Sequence, residues 1–160
     1  THPNNVHRVV RALEIYLTTG KTKTAVDRLA PTVNPELSLY IVEPVFENRE
    51  ALYARIDARV DAMMAAGLLE ETRRLRDAGV FAVNATAAGA IGYKELLPYL
   101  DGLCPLETAV ETLKRATRRY AKRQMTYFRR LPGVVTVPAD GQTPEALAEN
   151  LLPGIRAFLA

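Results

Sequence analysis

The stretch PLETAVETLKRATRRYAKRQMTYFRRL, residues 105–131, decides the architecture that the sequence predicts. Pro105 opens it at the first helical turn, where proline is accepted because the backbone N–H there has no helical partner. We predict one long helix over the whole stretch. Its second half, residues 114–130, carries eight Lys or Arg side chains and no acidic one. We therefore expect a two-faced helix, with one side that contacts protein and one that is strongly cationic.

We call the cationic side of this helix the cationic stripe. Its members fall within an arc of about 140° on a helical wheel: Arg115, Arg118, Arg119, Lys122, Arg123, Arg129 and Arg130. Several of them are like-charge neighbours four residues apart, and each such pair costs roughly a few tenths of a kcal/mol. Nothing within the helix compensates this repulsion. Outside residues 114–130 the chain has 13 Lys or Arg against 18 Asp or Glu, so the excess is local and favours an anionic partner.

The sequence pattern alone does not identify the partner of the cationic stripe. The stripe can be a solvated face without a partner, or it can dock an acidic protein. A membrane surface fits less well, because the opposite face is small and partly polar and lacks Trp. Nucleic acid fits best, because Arg presents forked donors to phosphates. Tyr120 and Tyr127 can stack on unpaired bases, but we predict that both belong to the core.

The remainder of the chain predicts helices around two short strands, an α/β fold that is predominantly helical. A helix over residues 6–19 is predicted between an N-cap at Asn4 or Asn5 and a closing Gly20. LSLYIVEP predicts a parallel strand over about 37–43, ended by Pro44, and VVTVPA predicts another over about 134–138. Two isolated strands do not make a stable sheet, so we expect either that part of the sheet lies outside this sequence or that the two strands pair in a way the sequence does not reveal.

Other helices are predicted over 48–66 and 69–78, over a short segment ending near 100, and from Thr143 onward. The last is expected to kink or break at Pro153.

The composition fits one compact domain of 160 residues. Cys104 is the single cysteine and cannot form an internal disulfide, which favours a reducing compartment and a cytoplasmic location. No apolar run approaches the ~18–20 residues that span a bilayer, and no signal-peptide pattern opens the chain. The sequence shows no cluster of metal ligands and no catalytic triad.

Four segments resemble the tRNA dimethylallyltransferases, also called tRNA isopentenyltransferases. HPNNVHRVVRALEIYLTTGK is similar to the family's HPND-x-x-R-x-x-RALE-x-x-x-x-TGK segment, and RIDARVDAMMAAGLLEETRRL resembles its R-x-x-x-R-x-x-x-M-x-x-x-G-x-x-x-E segment. AIGYKEL matches A-I-G-Y-K-E, and TRRYAKRQMTYFRR looks like the C-terminal signature. The segments occur in order and together span residues 2–130. The departures are small: Asn5 replaces the usual Asp, and Tyr127 stands where the family often has Trp.

The resemblance implies an enzyme that transfers a dimethylallyl group from dimethylallyl diphosphate to N6 of the adenosine 3′ to the tRNA anticodon. It implies a P-loop kinase-like α/β core with a helical insertion, Mg²⁺, a flipped-out target base, and a monomer. The phosphate-loop pattern G-x-x-x-x-G-K-[ST] does not occur in this sequence. We therefore expect residues 1–160 to be a single C-terminal portion of that core, without the general base, and inactive alone. The alternative is a free-standing basic RNA-binding module without catalysis.

The resemblance also implies roles for individual residues, none of them catalytic. Lys94 would lie near the diphosphate, where a cation stabilises the charge that develops on the leaving group. His7, Arg8 and Arg11 would meet the tRNA. The residues implied to hold the anticodon stem are Arg115, Thr117, Arg118, Arg119, Lys122, Arg123 and Gln124.

Overall fold

The computed structural model describes residues 4–29 and 37–160 and consists mainly of helices. The described residues form these elements in chain order: α1 (Val6–Thr19), α2 (Lys23–Leu29), β1 (Ile41–Val45), α3 (Arg49–Ala65), α4 (Leu68–Asp77), α5 (Val80–Val83), α6 (Ala85–Ala88), α7 (Tyr93–Leu100), α8 (Leu106–Phe128), β2 (Val134–Pro138) and α9 (Pro144–Leu159). Two compact units divide the chain, residues 1–39 and residues 40–160, and each is described by itself.

The first unit contains α1 and α2. The Asn5 side chain caps α1 by accepting a hydrogen bond from the Arg8 backbone N–H at 3.2 Å. Gly20 closes the helix in the left-handed conformation with φ 67, and its N–H donates to the Tyr16 carbonyl at 2.8 Å. The predicted helix is therefore confirmed at both ends. Helix α2 was not predicted, and His2 and Pro3 of the HPNN segment lie outside the described residues.

The second unit contains a two-stranded parallel sheet. Strands β1 and β2 pair in register from Ile41 with Val134 to Val45 with Pro138, and the Ala139 N–H donates to the Val45 carbonyl at 2.8 Å. The parallel arrangement is confirmed. The predicted bounds of the first strand were wrong, because the strand begins at Ile41 and continues through Pro44.

Pro44 is tolerated inside β1 for a geometric reason. Alternate residues of a strand direct their N–H and C=O groups to opposite neighbours. Since Val45 bonds to β2, the position of Pro44 faces away from β2, where its missing N–H leaves no gap in the ladder. A proline in a strand is therefore a sign of an edge position and does not by itself end the strand.

Helices α3, α4, α7 and α8 contact one another and share a core. Its fully buried side chains are Val60, Thr72, Leu96 and Leu113. The Thr72 hydroxyl is satisfied within its own helix, where it donates to the Leu68 carbonyl at 2.7 Å. These helices hold the long helix α8 from one side, so they determine which of its residues remain accessible.

Helix α9 begins as predicted, with the Thr143 hydroxyl oxygen accepting from the Ala146 N–H at 3.3 Å. The predicted interruption at Pro153 is wrong, because the helix continues through it to Leu159. The next residue, Gly154, lies against the ring of Tyr40, which itself contacts the Phe158 ring at 5.4 Å between centroids.

This contact reverses the usual effect of replacing a helix glycine. At an unconstrained helix position, alanine is more stable than glycine by about 0.5–1 kcal/mol. A Cβ at residue 154 would overlap the Tyr40 hydroxyl and lie 3.2 Å from Tyr40 Cζ. We expect Gly154→Ala to lower the free energy of unfolding by about 1–2 kcal/mol, measured by urea denaturation. In a Tyr40→Phe background the loss should shrink, and a stabilised Gly154→Ala single variant would contradict this geometry.

Candidate nucleic-acid interface

The basic residues of α8 divide into two sets with different surroundings. Arg118 faces α3, where its guanidinium donates to the Asp57 carboxylate at 2.6 and 2.8 Å and lies 5.9 Å from the Tyr53 ring centre. It also donates to Glu111 of its own helix at 2.9 Å. The expectation that nothing within the helix compensates the repulsion is therefore wrong for Arg118.

The ion pairs between α8 and α3 fix how α8 is rotated on its neighbour. Burial opposes the charge of Arg118, but the Glu111 hydrogen bond and the charges of Asp57 and Glu111 outweigh it and raise the pKa of the guanidinium. One turn earlier, the Lys114 ammonium lies 2.6 Å from Asp61, and this hydrogen bond raises the pKa of Lys114. Lys114 and Arg118 therefore both form ion pairs with carboxylates of α3.

The second set of cations forms no ion pair with α3 among the described residues. Four of them border a cavity of about 500 Å³ along one side of α8, lined by Arg119, Lys122, Arg123, Thr126, Tyr127 and Arg130. Within the part of the chain that the structure describes, no ion pair involves any of these four cations. Their charge is uncompensated at the surface, which is the arrangement that phosphate groups neutralise.

Two tyrosines accompany these cations at the surface. Tyr120 is 45% exposed and Tyr127 is 61% exposed, so the prediction that both belong to the core is wrong. The reason lies along the helix axis: the residues that α8 buries, Ala109 and Leu113, lie in its first half. The Arg123 guanidinium covers the Tyr120 ring at 5.4 Å from its centre, whereas Tyr127 makes an edge-to-face contact with Phe128 at 5.3 Å.

A second cavity, of about 450 Å³, lies between α7 and α8. Its lining brings Lys94 of α7 together with Arg115 and Arg119 of α8. The start of α7 is set by Gly92, whose φ of 115 suits glycine and whose N–H donates to the buried Glu95 carboxylate at 3.0 Å. The structure thus places Lys94, the predicted diphosphate-binding residue, around one cavity with two predicted tRNA-binding residues, and Glu95 lines the same cavity.

Helix α7 is also tied to α4. The Tyr93 hydroxyl donates to the Glu71 carboxylate, and this hydrogen bond, together with burial, raises the pKa of the phenol. Because Tyr93 directly precedes Lys94, this contact helps to fix the orientation of the N-terminal end of α7.

A third cavity, of about 270 Å³, lies between β1 and α8, with Glu43, Phe46, Gln124 and Phe128 among its lining residues. Gln124 is among the predicted site residues. The hydroxyl of Thr117, another of them, donates to the Leu113 carbonyl at 2.9 Å and is engaged within the helix.

The remaining predicted residues belong to the first unit. His7, Arg8 and Arg11 all lie on α1 and are exposed. Arg11 pairs with Glu14 at 3.1 Å, one turn along the same helix.

No three His, Cys, Asp or Glu side chains among residues 4–29 and 37–160 come together to hold a metal ion. None of the helices there is long and apolar enough to cross a membrane.

Comparison with known proteins decides the family. The sequence profile described as IPP transferase matches residues 1–131. The chain belongs to this family. A tRNA dimethylallyltransferase from a Roseiflexus species is 40% identical to this IPP transferase chain over 150 residues, covering 94% of the chain and 48% of the relative. One from Pelotomaculum thermopropionicum is 50% identical over 129 residues, covering 81% and 40%. The chain spans about half the length of these relatives or less.

Solved structures agree with this membership. The tRNA isopentenylpyrophosphate transferase from Staphylococcus epidermidis matches with a TM-score of 0.66 at 37% identity, over 98% of this IPP transferase chain and 50% of that one. A eukaryotic dimethylallyltransferase acting on tRNA matches with a TM-score of 0.70 at 27% identity, over 97% and 42%. The predicted fold class, a predominantly helical α/β fold with two short parallel strands, is confirmed.

Sequence reasoning missed two lining residues of the cavity between β1 and α8 in this IPP transferase chain. The sequence pattern assigns Glu43 only to the end of a strand and Phe46 only to the connection after that strand. An acidic residue inside an otherwise apolar strand was the available signal. Glu43 is only 7% exposed, and this burial could not be predicted without knowing what covers that face of the sheet.

Proposed function

We propose that this chain is part of an enzyme that transfers a dimethylallyl group from dimethylallyl diphosphate to N6 of the adenosine 3′ to the anticodon of tRNA. The observation that carries the proposal is the set of uncompensated cations along one side of α8. Arg119, Lys122, Arg123 and Arg130 line one cavity there. Relatives at 40% and 50% identity are tRNA dimethylallyltransferases, and a row of arginines suits the phosphates of an anticodon stem.

The reaction divides between this chain and the rest of the enzyme. N6 of adenosine attacks C1 of the allyl group, the C1–O bond breaks, and the diphosphate leaves with the bonding electrons. The proton that N6 loses goes to a base outside this chain. Lys94, with Arg115 and Arg119 around the same cavity, would stabilise the negative charge that develops on the diphosphate.

The tRNA contacts also divide among residues with different surroundings. Arg119, Lys122 and Arg123 would hold phosphates, while Arg118, bound to Asp57 and Glu111, would keep α8 in the orientation that presents them. Thr117 and Gln124 lie on the same helix, and His7, Arg8 and Arg11 would supply a second contact from α1. Mg²⁺ stays a prediction for the intact enzyme, with ligands expected outside this chain. A monomeric state and a cytoplasmic location stay predictions as well.

The test measures the affinity of the purified chain for an anticodon stem-loop with the target adenosine, against an unrelated hairpin of equal length. Both are titrated at about 50 and 200 mM salt, where phosphate contacts lose most of their strength. We expect tighter binding of the anticodon stem-loop, a steep loss in salt, and no prenylation by the chain alone. Absence of binding to either RNA would contradict the proposal, and detectable prenylation would contradict the division of the reaction.

A further inference from the structure

Arg119 lines two cationic cavities of α8 at once. It borders the cavity of about 500 Å³ together with Lys122 and Arg123, and it also borders the cavity of about 450 Å³ between α7 and α8. Lys94 and Arg115 line the second of these cavities but not the first. Among the described residues, Arg119 is therefore the one side chain that belongs to the linings of both.

The surroundings of Arg119 allow its guanidinium to serve either cavity. The residue is exposed, and among residues 4–29 and 37–160 no ion pair ties it to a carboxylate. Arg115, Arg119 and Arg123 follow one another at intervals of four residues, so they form one row along α8 with Arg119 in the middle. Arg118 differs, because Asp57 holds its guanidinium. The position of the Arg119 side chain therefore depends on the anion that it meets.

Each of the two cavities suits a different anion of the proposed reaction. The cavity along α8 suits the phosphates of RNA, whereas the cavity between α7 and α8 suits diphosphate. The lining of the latter has three cations and one acid, Glu95, whose carboxylate already accepts from the Gly92 N–H at 3.0 Å. Two anions that share the guanidinium of Arg119 bring their negative charges close together and repel each other. Filling one cavity should therefore weaken the hold of the other.

We propose that Arg119 couples the two anion sites in opposition, so that diphosphate between α7 and α8 draws Arg119 away from RNA and weakens RNA binding. The inference rests on the proposed function, because that function supplies both anions. When N6 attacks C1, the C1–O bond breaks and its electrons stay on the diphosphate, which gains a negative charge. The attraction on Arg119 therefore grows during the reaction, and the product diphosphate loosens the modified tRNA. RNA weakens diphosphate binding by the same factor, since coupling between two binding sites is reciprocal.

The test measures the affinity of the purified chain for a fluorescein-labelled anticodon stem-loop while inorganic diphosphate is added at constant ionic strength. Fluorescence anisotropy gives the Kd at each diphosphate concentration. We expect the Kd to rise about fivefold and then to level off, because RNA keeps its other contacts when it loses Arg119. Calorimetric titration of diphosphate with and without the unlabelled stem-loop should give the same factor. A Kd that rises without levelling off would mean that diphosphate displaces RNA from α8 altogether, and it would contradict the inference.

Four variants locate the coupling, and in each the Kd with saturating diphosphate is divided by the Kd without it. In Arg119→Ala this ratio should fall to about one, because the shared side chain is gone. It should also fall in Lys94→Gln, since Lys94 lines only the cavity between α7 and α8. Arg123→Ala should weaken RNA binding but keep the ratio, because Arg123 lines only the cavity along α8. The matched control is Arg74→Gln, an exposed cation on α4 that lines neither cavity, which should keep the ratio.

The outcomes separate the two proposals. A chain that binds no stem-loop even without diphosphate would contradict the proposed function. A stem-loop that binds with a Kd unchanged by diphosphate would contradict the coupling alone. A ratio that persists in Lys94→Gln or in Arg119→Ala would overturn the inference, because diphosphate would then act elsewhere or through another side chain. All four replaced side chains are exposed, so each variant should fold.

Discussion

Replacing Arg119, Lys122 and Arg123 together by alanine is expected to weaken RNA binding by the chain about a hundredfold at about 0.1 M salt. These three residues line one cavity and take part in no ion pair among the described residues, so their charge is available to phosphates. Each phosphate contact releases counterions, so losing three should also reduce the slope of log affinity against log salt by about 2–3. Fluorescence anisotropy at several salt concentrations measures both quantities.

The matched control for this triple variant is Arg118→Ala, which removes an arginine from the same helix. Its guanidinium is bound to Asp57 and Glu111 and is 24% exposed. We expect the free energy of unfolding to fall by about 1–3 kcal/mol, because two carboxylates lose their partner. RNA affinity should change less than about threefold, roughly 0.6 kcal/mol, because the Lys114–Asp61 ion pair still holds α8 against α3. An RNA-binding loss in Arg118→Ala as large as that of the triple variant would contradict the division of α8 into two sets.

Leu113→Ala is expected to have the largest effect on stability. The side chain is 1% exposed in the core shared by α3, α4, α7 and α8. Removing it leaves a cavity that packed helices fill only in part, which lowers the free energy of unfolding by about 2–5 kcal/mol. That is a large share of the ~5–15 kcal/mol typical of a folded domain. Guanidinium denaturation followed by circular dichroism measures the change.

The control for this core variant removes the same atoms from the surface. Leu103 precedes α8 and is 77% exposed, so Leu103→Ala should shift the free energy of unfolding by no more than about 0.5 kcal/mol. Equal losses in the two leucine variants would show that α8 is not held by this core.

Local signals in the sequence were enough to predict where several of the helices begin. Asn5, Asn48 and Thr143 each accept a hydrogen bond from a backbone N–H of the helix that begins next to them. Such contacts span two or three residues, so the chemistry of one short segment determines them. The long helix α8 was predicted for the same reason, since neither its start at Pro105 nor its helical repeat depends on distant residues.

The surroundings of α8 could not be predicted in this way. A helical wheel gives the angle of each side chain but not the neighbour that covers it. Arg118 was grouped with the other cations, although Asp57 of α3 binds it, and Tyr120 was placed in the core, although the second half of α8 is uncovered. The burial of Glu43 became evident only when the fold placed it in a cavity with residues of α8. These features depend on contacts between segments far apart in the sequence.

The parallel pairing of β1 with β2 has a consequence for how the chain folds as it is made. The backbone N–H of Glu47, just after β1, donates to Asp140 at 2.7 Å across a sequence separation of 93 residues. At about 5–20 residues per second on the ribosome, β1 waits roughly 5–20 s before β2 has been synthesised. Helices α3 to α8 can close their own core during that interval, because their contacts lie between the two strands. The sheet of this unit therefore forms only after helices α3 to α8 have been synthesised, and α9, which follows β2 in the chain and packs against Tyr40, is the last element to be added.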